Sequence, residues 1–457
     1  MVEGTVSPEG RARPPASRIL AEYALRVEFG DLPEPVVHGA RRALLNWLGC
    51  VLGAAHEDAV RIAADVMAES RPSAEAAVLG RGIDLDVGGA ALVNALAAHL
   101  YDFDDTHARS ILHPSAATAA VALSLCQRLD LTGADVIAAY VAGTEVACRV
   151  AAAVTPQHND DGWHVTGTVG TFGAAAAASR LLGLEPRQAT MALALAATQA
   201  SGLRENFGTM AKPLHPGKAA WNGVLAARLA RRGFTASEEG LAGRRGFLAV
   251  MAPDADRGAL TAGLGRDYET VKNRFKPYAC GVVTHAAIDA AVEARRSGVD
   301  AGHVTSVRAH VHPLVAELTA KTGLRKGLEG KFSVFHCIAV GLLDGRAGPR
   351  EFTDERVVDP LVVALSKRIE LVVDPAMGEE SARLDIRTDD GRERSVAVEA
   401  ATGSLERPMS DDALEEKFRM LVGEAAGVDD LVSAMWSLGP DTSVRELVRM
   451  MPGAARA

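Results

Sequence analysis

The sequence predicts a mainly α protein, a large all-helical domain carrying an inserted, smaller α+β domain. Three observations predict it. The chain is 48% hydrophobic but only 4% aromatic, so its core must be built mostly from Ala, Leu and Val, which suits closely packed helices. The hydrophobic period changes from helical to alternating near residue 268 and becomes helical again after 404. At 457 residues the chain also exceeds what one hydrophobic core usually accommodates, so two domains are expected.

Residues 1–15 are polar and rich in Pro and Gly, with no apolar stretch of a signal peptide, and read as a flexible arm. Residues 16–267 read as helix after helix. Val36 to Leu52 has apolar residues at helical spacing, and Thr132 is placed to cap a helix running to Ala153. Val165 to Leu182 opens T-G-T-V-G-T-F-G and continues into five alanines. No strand precedes Gly167, Gly170 and Gly173, so their spacing suits close helix packing better than a dinucleotide fingerprint. Anion binding at the helix start is the alternative. Residues 268–404 form the α+β domain. Strands are expected at Val304–His312, Arg368–Val373, Ala382–Arg387 and Arg394–Val398, with a hairpin turn at Asp389–Gly391. Helices are expected at Thr284–Arg296 and Ser333–Leu343. Residues 405–457 are helical again, opened by a Ser410 cap, and should pack back on the first domain.

The net charge is −9, with no clustered basic face, so no nucleic-acid partner is expected. Cys50, Cys126, Cys148, Cys280 and Cys337 are odd in number, far apart and without a C-x-x-C pair. A disulfide framework, a zinc site and an iron–sulfur cluster are therefore not expected. No charge-free apolar run is long enough to span a bilayer, which leaves no membrane partner and the cytoplasm as the default location.

Polar islands interrupt the apolar surroundings. Tyr101 to Ser115, Y-D-F-D-D-T-H-A-R-S-I-L-H-P-S, gathers Asp102, Asp104, Asp105, Thr106, His107, Arg109 and His113. These residue types can ligate a metal. The reading favoured over that has Asp104 or Asp105 capping the next helix and Asp102 paired with Arg109. In Gly162 to Thr168, His164 stands at the start of the glycine-rich helix. It is either a core histidine or an imidazole kept neutral by the helix N-terminus and so useful as a base. In Gly208 to Lys218, Lys212 is expected in a rigid, cationic, glycine-flanked loop with His215 and Lys218 nearby. Asn273 to His285 holds Arg274 and Lys276 at the domain junction, and Gly330 to Cys337 is a weaker fifth island. Converging lysines, arginine and histidines describe a site for a small polycarboxylate.

Taken together and in order, D-F-D-D-T-H…H-P-S, W-H-V-T-G-T-V-G, G-T-M-A-K-P-L-H-P-G-K-A-A, R-F-K-P-Y-A-C…T-H and K-F-S resemble the MmgE/PrpD family across nearly the whole chain. That family includes 2-methylcitrate dehydratase, cis-aconitate decarboxylase and iminodisuccinate epimerase. The resemblance implies a helical domain with an α+β lid, a homodimer, and catalysis without an obligatory cofactor; the absence of a cysteine cluster and of a hard-cation spacing adds the expectation that no metal is needed. It places catalytic roles on Asp102, His113, His164 and Lys212, and substrate binding on Thr106 and Lys276, with Arg109, Arg274 and His336 as further candidates. Two departures stand out: His336 replaces a tyrosine of the decarboxylase, and the spacing from Thr106 to His113 is one residue longer. The expected function is a hydro-lyase of the 2-methylcitrate dehydratase type, acting by proton abstraction alpha to a carboxylate. The alternatives are an epimerase of an iminodisuccinate-like substrate, a cis-aconitate-type decarboxylase and, from another class, a noncatalytic helical binding protein.

Overall fold

The computed structural model describes residues 14–70, 72–424 and 426–453. The arm expected at residues 1–15 falls almost entirely outside the described residues. The helical part comprises α1 (Ala16–Arg26), α2 (Glu34–Ala54), α3 (Asp58–Glu69), α4 (Val87–Leu100), α5 (Pro114–Leu129), α6 (Gly133–Val154), the short α7 (Gln157–Asp160), α8 (Val165–Leu181), α9 (Pro186–Ala197), α10 (Ala211–Arg231) and the short α11 (Phe247–Met251). Their apolar faces form one continuous core, dominated by Ala, Leu and Val. Small side chains let the helices approach closely. A Cβ on Gly173 of α8 would lie 2.9 Å from the Gly143 carbonyl oxygen of α6, so both glycines are required by the contact. This is the packing role expected of the glycine repeat.

Helix α6 is long and apolar enough to cross a membrane by composition, and it is buried throughout inside the helical core. Its buried charged residues bond to the segment that leads into the second domain. Glu145 accepts from the Thr270 N–H and hydroxyl, both at 2.9 Å, and Arg149 donates to the carbonyls of Asp267, at 2.7 Å, and Ala262. These bonds fasten the domain junction to the centre of the helical core. The helix opens as expected: the Asp135 carboxylate accepts from the Thr132 N–H at 3.1 Å and its hydroxyl at 2.8 Å. A two-stranded hairpin, β1 (Ala76–Val78) and β2 (Ile83–Leu85), interrupts the helices and was too short to show in the periodicity.

The α+β part has its own core. Strands β5 (Val304–Val311), β6 (Ile369–Val373), β7 (Ala382–Thr388) and β8 (Glu393–Val398) form one sheet in the order β6-β5-β7-β8. β5 and β6 run parallel and the other pairs antiparallel, with Thr388 N–H bonded to Arg392 O across the β7–β8 hairpin. Burial alternates along β7, with Ala382, Leu384 and Ile386 inside, as a sheet covered on one face requires. Helices α12 (His285–Arg296) and α15 (Val334–Asp344) supply much of that cover, with the shorter α13 (Pro313–Thr319) and α17 (Pro360–Ser366) adding to it, while α14 (Gly327–Gly330) and α16 (Asp354–Val357) pack against each other. The chain then returns to the helical core through α18 (Asp411–Val422), α19 (Val428–Trp436) and α20 (Val444–Met450). The protein is thus predominantly helical, with a smaller strand-containing region inserted. Ser410 caps α18 by accepting from the Ala413 N–H at 3.2 Å.

Candidate active site

The polar islands converge where the two cores meet. Helix α4 is buried throughout and ends at Leu100. The next turn puts Asp102 in the left-handed region at φ 52°, costly for a residue with a side chain. Three buried ammonium groups hold that turn. Lys331 donates to Tyr101 O at 2.7 Å, Lys276 to Asp102 O at 2.9 Å and Lys417 to Phe103 O at 2.7 Å. Lys331 also reaches Ala279 O, and Lys417 reaches Lys276 O, so each ties the turn to the junction segment. Burial pushes both of these lysines down to about 8.

The Asp102 carboxylate is the centre of the site. Its Oδ1 accepts from Lys212 Nζ and Lys276 Nζ, both at 2.9 Å. Burial alone would push its pKa up, but the two ammonium charges outweigh this and hold it well below the usual range. Burial lowers the pKa of Lys212. The favoured expectation that Asp102 pairs with Arg109 is not met: the guanidinium is exposed, and the true partners lie 110 and 174 residues away. Nor do Asp104 and Asp105 cap α5, whose N-cap position is His113. Lys212 does not sit in a loop. K-P-L-H-P-G-K forms the first turns of α10, with Lys212 buried and its ammonium 5.3 Å from both the Phe207 and Phe332 rings.

Two further strands join the turn to the junction: β3 (Thr106–His107) pairs with β4 (Asn273–Arg274). Behind them His107 bonds Glu269 at 2.9 Å, and Asn273 donates to Asp105 at 2.9 Å. Burial pushes the Asp105 carboxyl up to about 7. Because its folded pKa exceeds the unfolded value of about 3.9, its stabilising contribution is largest at low pH and is lost as pH rises from about 4 to about 7. Asp105→Asn should therefore gain about 2 kcal/mol more relative to wild type at pH 8 than at pH 5, read by urea unfolding. A difference independent of pH would refute a protonated Asp105.

His113 and His164 both stand at helix N-caps, of α5 and α8. His113 Nδ1 lies 3.3 Å from Asp104 Oδ1 and 3.4 Å from Thr106 Oγ1, and its Nε2 lies 4.0 Å from Asp102 Oδ1. His164 Nδ1 bonds His215 Nδ1 at 2.9 Å. Between them lies His99, its ring centroid 4.6 Å from that of His113 and 5.4 Å from that of His164. Burial pushes His99 down to about 3, so its 2.8 Å contact to Asp104 is a bond from a neutral imidazole. Burial, aided by the nearby Lys212 charge, holds His164 well below its usual value. The neutral imidazole expected from the helix end is thus present, and desolvation is its main cause.

A cavity opens onto this constellation, lined by Asp102, Thr106, His113, His164, Lys212 and Lys276 together with Arg204, Asn159, Phe207, Leu318 and Phe332. The other candidates are placed elsewhere. Arg109 faces outward, Arg274 pairs with Glu380 and donates to Ala108 O at 3.4 Å, and His336 donates to Glu351 O at 2.8 Å. His336 and Ser333 line a separate cavity in the α+β part. Sequence reasoning did not single out His99, Arg204 or Lys417. Ligand atoms of His99, Asp102, Asp104 and His113 lie within 4.8 Å of one another, close enough for a metal. However, Asp102 Oδ1 already accepts from two ammonium groups, and Asp104 contacts both imidazoles. These residues fit an ion poorly, because two fixed cations oppose it. All five cysteines are buried as free thiols.

The chain matches the MmgE/PrpD N-terminal domain over residues 18–259 and the MmgE/PrpD C-terminal domain over residues 278–433. It is 27% identical to a protein of Aspergillus terreus (strain NIH 2624 / FGSC A1156) named cis-aconitate decarboxylase, covering 97% of each chain. It is 28% identical to the Homo sapiens protein of that name, covering 86% of this chain and 85% of the relative, and 28% identical to that of Mus musculus, covering 80% and 78%. Two domain matches that together run from residue 18 to 433, on a helical fold with an inserted sheet, establish that the chain belongs to the MmgE/PrpD family.

Proposed function

We propose that the protein is a cofactor-independent lyase that abstracts a proton alpha to a carboxylate of a small polycarboxylate, with dehydration of a 2-methylcitrate-like hydroxy acid as the principal reading. The observation that carries it is the pairing of two imidazoles with two ammonium groups around one cavity. Lys212 and Lys276 attract a substrate carboxylate and stabilise the enolate-like charge that develops on it. His164, kept neutral by burial, takes the proton. His113, its Nδ1 3.3 Å from Asp104 Oδ1, delivers a proton to the departing hydroxyl. A noncatalytic binding protein would need the cations but not the two imidazoles.

Decarboxylation of a cis-aconitate-like acid is the second reading, favoured by the names of the relatives. It uses the same cations and needs only the proton-delivering imidazole. Against it, the side chain at the tyrosine position of the decarboxylase is His336, whose ring bonds Glu351 O and not the cavity.

Incubation with 2-methylcitrate, citrate, cis-aconitate and iminodisuccinate in deuterated water, followed by proton NMR, tests the proposal. Dehydration yields an unsaturated acid, decarboxylation loses a carbon, and epimerisation exchanges deuterium without net loss. Because two ammonium groups already neutralise Asp102, the activity should be unchanged after EDTA treatment. Activity abolished by EDTA and restored by one divalent ion would sink the metal-free mechanism. Absence of both turnover and deuterium exchange across the panel would sink the lyase reading.

A further inference from the structure

We propose that Arg204 anchors the remote carboxylate of the substrate, in competition with Glu317, and so restricts the site to acids with at least two carboxylates. The inference rests on the reading of the cavity as a polycarboxylate site. Arg204 opens a 3₁₀ turn, Arg204–Asn206, directly before α10. Its position relative to His164 is fixed by backbone bonds. Arg204 N–H donates to Gly162 O at 2.9 Å, His164 N–H donates to Gly202 O at 3.0 Å, and Trp163 pairs with Leu203 between them.

The guanidinium lines the cavity. Its Nη1 donates to Asn159 O at 2.7 Å, which orients the planar fork. Its Nη2 lies 3.6 Å from Glu317 Oε1, an ion pair too long for a good hydrogen bond. The Arg204 side chain is only 19% exposed, whereas that of Glu317, on α13 of the α+β part, is 59% exposed. A pair so wet on one side is weak, and an incoming carboxylate can replace it with a shorter, two-pronged contact. The charges on the cavity wall agree. Three fixed cations, Lys212, Lys276 and Arg204, face one fixed anion, Asp102. Glu317, outside that lining but 3.6 Å from Arg204, offsets one of these charges until a ligand carboxylate displaces it, and the surplus favours an anionic ligand. Lys212 and Lys276 meet at the Asp102 carboxylate and Arg204 sits on the segment joined to His164, and all of them line the same cavity as the two imidazoles.

Calorimetric titration with tricarballylate, an inert tricarboxylate, tests this in wild type, Arg204→Gln, Glu317→Gln and the double variant. Loss of a charge-assisted bond should weaken binding by Arg204→Gln about 10–100-fold. Glu317→Gln should tighten it several-fold, because the competitor is gone, an effect that structural damage would not produce. In the double variant the tightening should vanish, since the two groups act through one contact. Unchanged affinity in a folded Arg204→Gln, or the same gain from Glu317→Gln with and without Arg204, would overturn the anchor while leaving the polycarboxylate reading in place. Wild type that fails to bind tricarballylate at millimolar concentration would overturn both.

Discussion

His164→Gln should lower turnover by about 10²–10⁴-fold, the usual contribution of a positioned proton transfer, while the melting temperature moves by only a few degrees. Glutamine has roughly the volume of histidine and can still bond His215, which lies 2.9 Å from His164 Nδ1. It cannot accept and release a proton near neutral pH. Burial keeps the wild-type imidazole neutral across the physiological range, so the activity lost should not return on raising the pH. A core histidine would behave in the opposite way. The variant would melt early, and its turnover per folded molecule would be nearly intact. Measuring both quantities on one preparation separates the two, and a destabilised but active variant would remove His164 from the mechanism.

Asp102→Asn should cost about 3–5 kcal/mol of stability as well as activity, because it leaves buried charges without their partner. Lys212 and Lys276 are 7% and 2% exposed in their side chains, and both donate to the same carboxylate oxygen. In wild type the Asp102 pKa is depressed, so its contribution is present above the unfolded value of about 3.9 and is lost as pH falls from there through the depressed folded value. In the variant the slope keeps its sign but moves to the alkaline range. Burial, no longer offset by the Asp102 charge, holds Lys212 below its unfolded pKa, the unfolded state binds more protons, and stability rises with pH. Urea unfolding of the variant should therefore show partial recovery between pH 7 and pH 9. A variant as stable as wild type, with no such recovery, would mean that the lysines do not depend on Asp102.

Much of this architecture was legible because its causes are local. The helical period, the Ser410 cap and the alternation of β7 follow from neighbouring residues, and they appear where expected. The polar islands were legible too, since charge in an Ala-rich sequence is conspicuous. What each charge touches was not. Arg274 is two residues from Lys276, yet one meets Glu380 and the other Asp102. Lys417 sits in D-D-A-L-E-E-K-F, which has the look of a solvated helix face, but it points inward to Phe103 O. Arg204 lies just ahead of the third island, in a short turn whose pairing with the His164 segment is invisible until both are folded. Local pattern reports that a residue is polar, whereas its partner is chosen by topology.

The three lysines on consecutive carbonyls carry a consequence for the order of assembly. Their donors stand 174, 230 and 314 positions along the chain from the turn they hold. Contacts of such separation are the slowest to close, because the loop entropy precedes the gain. The helices can collapse early on local signals. The left-handed turn at Asp102 must wait until the inserted sheet has formed and α18 has come home. The Asp102 turn is then expected to be among the last parts of the molecule to become native, so that the candidate site is complete only when the whole chain has folded.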